Sequence, residues 1–269
     1  IDTSVQIAKY GEIVNFNIVN FNNDVCFTWN GTTSGVMIGP AQTIPQDRKG
    51  LTLCDATSAA FAMELPWDLL DATTFSWQKC LGGEGGHGVI VLSPRAIQRL
   101  KTYKPSWPLP KIFRLTKGTE LIEGIFSGET INTPSMLCVE DYLFSLDWAK
   151  SIGGLNGLIN RSKSNAEIIS EFVKNTSWLD YLARDKGNRS HTSVCLSLLD
   201  ARIENLEAFI KGVVTRLESE GVAFDIGSHR EAPPGLRFWC GPTVEQSDLK
   251  SLMPWIKWAF NKELAEQNN

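Results

Sequence analysis

The sequence has 269 residues, of which 42% are hydrophobic and 21% charged, with a net charge of −4. That length supports a substantial core in one or two domains. The mild acidity, with both signs spread along the chain, excludes a basic nucleic-acid-binding patch, and no apolar run reaches membrane length.

Val25–Trp29 reads as a buried strand, ended by the turn dipeptide Asn30-Gly31. Gly35–Gly39 is a short second strand or a loop, and Leu51–Cys54 is the next clear strand. Leu65–Leu70 reads as a short helix, and Thr74–Trp77 and Val89–Leu92 as further strands. Ser93-Pro94 then opens a helix to about Lys101, with Ser93 as N-cap. Short apolar strands alternating with helices give an α/β class with a largely parallel or mixed sheet.

Residues 103–135 are rich in Pro, Gly and Thr and show little periodicity, which suits a functional or interfacial segment. A helix follows to about Ser151. Met136, Val139, Leu143, Leu146 and Ala149 recur at three and four, and are expected to form its buried face. Gly153-Gly154 ends it, and divides the chain into residues 1–152 and 153–269. The second part reads as α+β: helices over Leu155–Lys174, Ala201–Glu218 and Ser247–Leu264, and strands at Ser193–Leu199 and Arg237–Cys240. The six cysteines are widely spaced and never form CxxC, so buried free thiols are expected, with neither a disulfide frame nor a metal site. With no signal-peptide pattern visible, a reduced, cytoplasmic setting follows as an expectation.

One segment carries chemistry. Lys79 closes the aromatic-polar run Phe75-Ser76-Trp77-Gln78 and is followed at once by a loop with five glycines. A charged ammonium is costly in such apolar, tightly turning surroundings. Burial there favours the neutral amine, the form that makes a Schiff base with a carbonyl. Asp55 ends an apolar strand and is followed by small residues, a position that faces the ligand crevice of an α/β sheet. Equally, it can be a turn or helix-capping residue. A lysine with a nearby strand-end acid is the pair that pyridoxal phosphate enzymes need: one for the imine, one for the pyridinium nitrogen.

Asp55-Ala56-Thr57-Ser58-Ala59, Phe75–Lys79, Pro108–Arg114 and Gly128–Met136 together resemble the phosphoserine aminotransferase family, over essentially the whole chain. The resemblance implies a fold-type-I pyridoxal-phosphate-transferase large domain with a mostly parallel, mixed sheet, and a smaller C-terminal α+β domain. It implies transfer of an amino group from glutamate to 3-phosphohydroxypyruvate, giving phosphoserine and 2-oxoglutarate in serine, and also pyridoxine, biosynthesis. It assigns Lys79 to the cofactor imine and to proton transfer, Asp55 to the pyridinium nitrogen, and Thr32 (or its neighbour Thr33) to the cofactor's phenolic oxygen. Gln78 goes to the cofactor phosphate, with Asn132 and Thr133 reaching that phosphate from the other subunit of a homodimer. Thr133 also reads as a helix N-cap with Pro134 at the first helical position. Arg237 is assigned to the substrate α-carboxylate, His229 and Arg230 to the substrate phosphate; guanidinium forks suit both anions. His87 and Glu84 receive no role, and His191 is expected beside the 193–199 strand.

The family also carries a further segment ahead of the point where this chain starts, expected to hold the phosphate-binding glycine loop and the ring that stacks on the pyridine. A non-catalytic C-terminal portion is therefore carried as an alternative, as are a serine–glyoxylate transaminase and a cysteine desulfurase. A desulfurase calls for a histidine just before the lysine and an exposed catalytic cysteine; Gln78 stands in the histidine's place.

Overall fold

A computed structural model describes residues 2–267. In chain order its elements are β1 (Val25–Thr28), β2 (Asn30–Gly31), β3 (Val36–Met37), β4 (Thr52–Asp55), β5 (Ala72–Ser76), β6 (Gly88–Leu92), α1 (Pro94–Thr102), β7 (Thr116–Lys117), β8 (Glu120–Leu121), α2 (Met136–Ser151), α3 (Gly154–Lys174), β9 (Leu179–Tyr181), β10 (Ser193–Leu198), α4 (Leu206–Ser219), β11 (Leu236–Trp239) and α5 (Gln246–Gln267).

The first sheet has the order β1-β4-β5-β6. Strands β1, β4 and β5 run parallel and β6 returns antiparallel, so the sheet is mixed. Its two edges do different work. At the edge where β4 and β5 begin, Asp71 is 1% exposed and gathers five donors. They are the Thr52 amide and hydroxyl, the Ser93 hydroxyl, and the guanidinium groups of Arg48 and Arg95. This knot ties three strands to the start of α1, whose N-cap Ser93 also accepts from the Ala96 amide. The opposite edge, beyond the carboxyl ends of β4 and β5, is where an open α/β sheet presents ligand groups.

The second sheet, β11-β10-β9, is antiparallel throughout. Helices α3, α4 and α5 pack around it over a core in which Phe209, Phe260, Leu196, Leu217, Leu236 and Ile256 are at most 2% exposed. Burying each such side chain contributes about 1.5–3 kcal/mol. Trp178 stacks on Phe260 at 3.7 Å, and Phe209 meets the same ring edge-on at 5.2 Å.

The two sheets are held together through a small polar knot. The buried Asn30 amide donates to the Ser58 carbonyl at 3.2 Å and to the Thr192 hydroxyl at 2.8 Å. Ser193 donates to the Thr32 carbonyl at 2.6 Å. The β2–β3 turn can lie against β10 because Gly35 has φ +70, and a Cβ there would come within 3.0 Å of Cys195. Asn30→Ala strips this knot of its shared donor and leaves buried acceptors unmatched. It is expected to cost about 1–3 kcal/mol, read as a lowered urea midpoint.

Several sequence expectations are corrected. Strand β1 is an edge strand, so Cys26 is exposed and Val25 and Phe27 are only half-buried. The expected buried face of α2 is largely open: Met136 is 59% and Leu143 49% exposed, and only Ala149 is buried. Helix α2 is capped by Ser135, whose hydroxyl accepts from the Cys138 amide, so Thr133 is not the cap and Pro134 is not the first helical residue. Helix α4 starts at Leu206 rather than Ala201. Asp200 spends its carboxylate on the Arg202 amide, holding residues 200–202 in a turn, and Asn205 caps the helix instead. Leu65–Leu70 makes only a 3-10 turn at Trp67–Leu69.

Candidate active site

Strand β5 delivers the lysine. It ends at Ser76, and the Trp77 that follows is 6% exposed. The chain then folds back: the Gly82 amide donates to the Lys79 carbonyl at 3.3 Å, and the Gly83 amide to the Trp77 carbonyl at 2.9 Å. A Cβ on Gly83 would stand 2.4 Å from the Trp77 ring, so glycine is required where the loop closes over the indole. Tyr142 stacks on the same indole at 4.3 Å and His87 at 5.7 Å, which makes His87 part of the wall under the loop. The turn leaves Lys79 half-buried, not buried as expected. Its Nζ lies 5.7 Å from the centre of the Trp239 ring and makes no ion pair among the described residues.

Strand β11 supplies the facing wall. Its residues alternate, with Leu236 and Phe238 in the core and Arg237 and Trp239 only half-buried on the other side. Behind them, Asn165 donates to the carbonyls of Gly241 and Val244, and Arg161 to that of Pro242, so α3 pins the loop after β11. Between the two walls lies a cavity of about 290 Å³. Thr32, Gln78, Lys79 and Arg237 all line it, as do Ser193, Phe224, Asp225, Ile226 and Trp239, which sequence reasoning did not single out. A period of two from Arg237 would have found Trp239. Gln78 is exposed and its side-chain oxygen accepts from the Ser76 hydroxyl. Arg237 holds Asp225 through an ion pair of 3.1 Å.

The other expected residues do not line this cavity. Asp55 sits at the carboxyl end of β4, paired in register with Thr74 of the strand that leads to Lys79. It is exposed, and its Oδ1 accepts from the Thr57 amide at 2.9 Å and hydroxyl at 2.6 Å. This is the turn role foreseen for it, with Oδ2 left over. His229 and Arg230 lie in the excursion between Gly227 and Leu236, which pair as a bridge. His229 accepts from the Glu231 amide at 3.4 Å, and Arg230 is 85% exposed with Glu231 4.0 Å away. Asn132 and Thr133 are exposed just before α2.

The thiols near the site are not poised as nucleophiles. Burial pushes Cys80, beside the lysine, up to about 12, against the lowering pull of Lys79 itself. Burial takes Cys195, under Arg237, up to about 11. Among the described residues no cysteine is disulfide-bonded, and the one exposed thiol, Cys26, is far along β1 from the lysine turn. Glu84 accepts from the Cys138 thiol at 3.2 Å. His191 binds the Ala62 carbonyl at 2.8 Å, and burial lowers its pKa. It is held between the two sheets as well as beside β10.

These groups suit pyridoxal phosphate by their chemistry. An amine without a carboxylate partner opens onto a cavity that offers hydroxyl and amide groups for oxygen anions and a guanidinium for a carboxylate. A strand-end acid lies on the neighbouring strand of the same sheet edge. Among the described residues no cluster of His, Cys, Asp and Glu could hold a metal, and no helix is long and apolar enough to cross a membrane.

No protein-family model matches the chain. It is similar to the phosphoserine aminotransferase of Methanosarcina barkeri, with 56% identity over 260 residues, 97% of this chain and 69% of that protein. To the enzyme of the same name from Methanosarcina mazei it is 54% identical over the same shares. Among solved structures it superposes on the phosphoserine aminotransferase of Cytophaga hutchinsonii with a TM-score of 0.75 at 20% identity, covering 93% of this chain and 68% of that one. The phosphoserine aminotransferase of Bacillus circulans subsp. alkalophilus gives 0.72 at 19% identity over 89% and 60%. These structures share the fold, so the chain carries the α/β architecture of fold-type-I pyridoxal phosphate aminotransferases.

Proposed function

The chain belongs to the phosphoserine aminotransferase family, and we propose that it supplies the lysine-bearing part of a pyridoxal-phosphate-dependent transaminase that moves an amino group from glutamate to 3-phosphohydroxypyruvate. The product would be phosphoserine, in serine biosynthesis. The observation that carries this reading is the meeting of Lys79, Gln78, Thr32 and Arg237 in one cavity, from three separated stretches of sequence. The chain spans 69% of its Methanosarcina relatives, so the activity is proposed for the protein that completes that length.

Bound there, pyridoxal phosphate supplies an aldehyde carbon and a ring able to withdraw electrons from the substrate. The protein's part divides as follows. The Lys79 amine would hold the cofactor's aldehyde carbon, and as a free amine its Nζ would serve as the general acid–base that moves the substrate's α-proton. Asp55 would keep the ring nitrogen protonated through the Oδ2 that Thr57 leaves unused. Thr32 would donate to the phenolic oxygen, and Gln78 to the phosphate. Trp239, under the lysine amine, offers a face over which a cation is favoured. Arg237 would fork onto the substrate α-carboxylate.

The remaining assignments belong to the same proposal. His229 and Arg230, on the hairpin beyond Arg237, would meet the substrate phosphate. Asn132 and Thr133, exposed ahead of α2, would reach the cofactor phosphate of a second subunit in a homodimer. Residues 1–152 would form the cofactor-binding domain and 153–269 the small domain. Five buried free thiols suit a reducing, cytoplasmic setting.

The test is the glutamate half-reaction, followed by loss of the cofactor's visible absorbance. Bleaching by glutamate is the expected result; an unchanged spectrum overturns the reading. Arg237→Ala should raise KM for glutamate about 10- to 100-fold, as expected for hydrogen bonds to a charged group.

A further inference from the structure

We infer that Asp225 is a stand-in carboxylate. It occupies Arg237 while the site is empty and surrenders that guanidinium to the substrate's carboxylate. The inference rests on the reading of Arg237 as the carboxylate clamp.

Three observations carry it. Asp225 and Arg237 both line the lysine cavity, and the Asp225 Oδ2 stands 3.1 Å from the Arg237 Nη2, a distance a substrate carboxylate would also take. The pair is lopsided: the Arg237 side chain is 23% exposed, while that of Asp225 is 90% exposed. Lastly, the backbone that presents Asp225 is fixed. It has φ +51, the next residue Ile226 is buried, and the Ile226 carbonyl accepts from the Arg237 amide at 2.7 Å. The carboxylate is therefore tethered at the mouth of the site, but its charge stays in water.

The contrast with Asp71 shows why this matters. The side chains of Asp71 and Arg48 are each 2% exposed, so neither can leave without stranding a buried charge. Asp225 can swing off Arg237 into solvent at little cost, because exposed pairs are weak. It would thus keep the guanidinium aimed and paired between turnovers, and compete mildly with every anion that enters. The competition should weaken binding by the worth of an exposed pair, about 1.5- to 5-fold.

Calorimetric titration of glutarate, an unreactive dicarboxylate, into the parent chain, Asp225→Asn and Arg237→Ala tests this. Asparagine tolerates the left-handed backbone at this position, so the first variant removes charge without moving the loop. The expected result is binding about 1.5- to 5-fold tighter in Asp225→Asn, and binding lost in Arg237→Ala. The gain should shrink at high salt, because the competing charge is solvent-exposed. If Arg237→Ala loses binding but Asp225→Asn is unchanged or weaker, only the stand-in role falls, and Asp225 serves to position the guanidinium. A gain that is insensitive to salt overturns it as well. If glutarate binds Arg237→Ala as well as the parent, or binds none of the three, the clamp reading falls and takes the stand-in role with it.

Discussion

Lys79→Ala is expected to lower the rate of the glutamate half-reaction by roughly 10²–10⁴-fold, the usual worth of a positioned general acid–base, and to remove the covalent attachment site altogether. The size follows from the lysine's position. It is carried on a turn that closes over a buried indole, it faces Arg237 across a cavity of about 290 Å³, and no other lysine lines that cavity. Among the other lining side chains, Ser193 and Thr32 are hydroxyls, Gln78 is a neutral amide, and the Asp225 carboxylate is held in an ion pair by Arg237. Single-turnover absorbance with saturating cofactor measures the effect. Retention of the rate within tenfold would assign the proton transfer elsewhere.

Asp71→Asn is expected to cost about 3–5 kcal/mol of stability, the range for leaving one member of a buried ion pair uncompensated. Arg48 is the stranded partner. Its side chain is 2% exposed, its Nε already lacks a partner, and its other bonds go to the Pro45 and Leu69 carbonyls, which carry no charge. Arg95, 39% exposed, can reach water and adds less. The same carboxylate predicts a pH dependence. Burial by itself would raise its pKa, but donation from Thr52, Ser93 and Arg48, with the Arg48 charge, outweighs burial and lowers it below 3.8. Because the folded value lies below the unfolded one, the unfolded chain binds the extra proton first as pH falls. The contribution is whole above about pH 4 and is lost as pH drops through the folded value. Urea unfolding of the parent should therefore weaken between pH 5 and pH 3, roughly the range below the unfolded carboxylate, and Asp71→Asn should weaken less. Equal slopes in the two proteins would contradict this.

The strands that feed the site were legible. Strands β4, β5 and β6 and helix α1 lie within a residue or two of where alternation and the Ser93-Pro94 start signal placed them. Lysine after an aromatic strand end, with glycines beyond, marked the turn correctly, but not its exposure: whether a cavity or packed side chains face a lysine depends on β11, which lies some hundred and fifty residues on. Asp225 left no signal, because a left-handed loop residue belongs to no periodic pattern. The apolar stripe of α2 shows a different limit. Periodicity tells which face favours cover, not which element covers it, and in residues 2–267 Met136 and Leu143 face outward. Thr133 and Ser135 both satisfy the N-cap preference, and only the backbone decides between them. His229 and Arg230, close to Arg237 in sequence, lie in the excursion between the paired Gly227 and Leu236, and no periodic pattern in the sequence foretold that hairpin.

The most direct measurement is borohydride reduction of the chain mixed with pyridoxal phosphate, followed by peptide mapping. A single pyridoxyl group on Lys79, absent in Lys79→Ala, is the predicted result. No fixed cofactor, or label scattered over exposed lysines such as Lys104 and Lys117, would contradict the assignment of Lys79 as the cofactor's anchor.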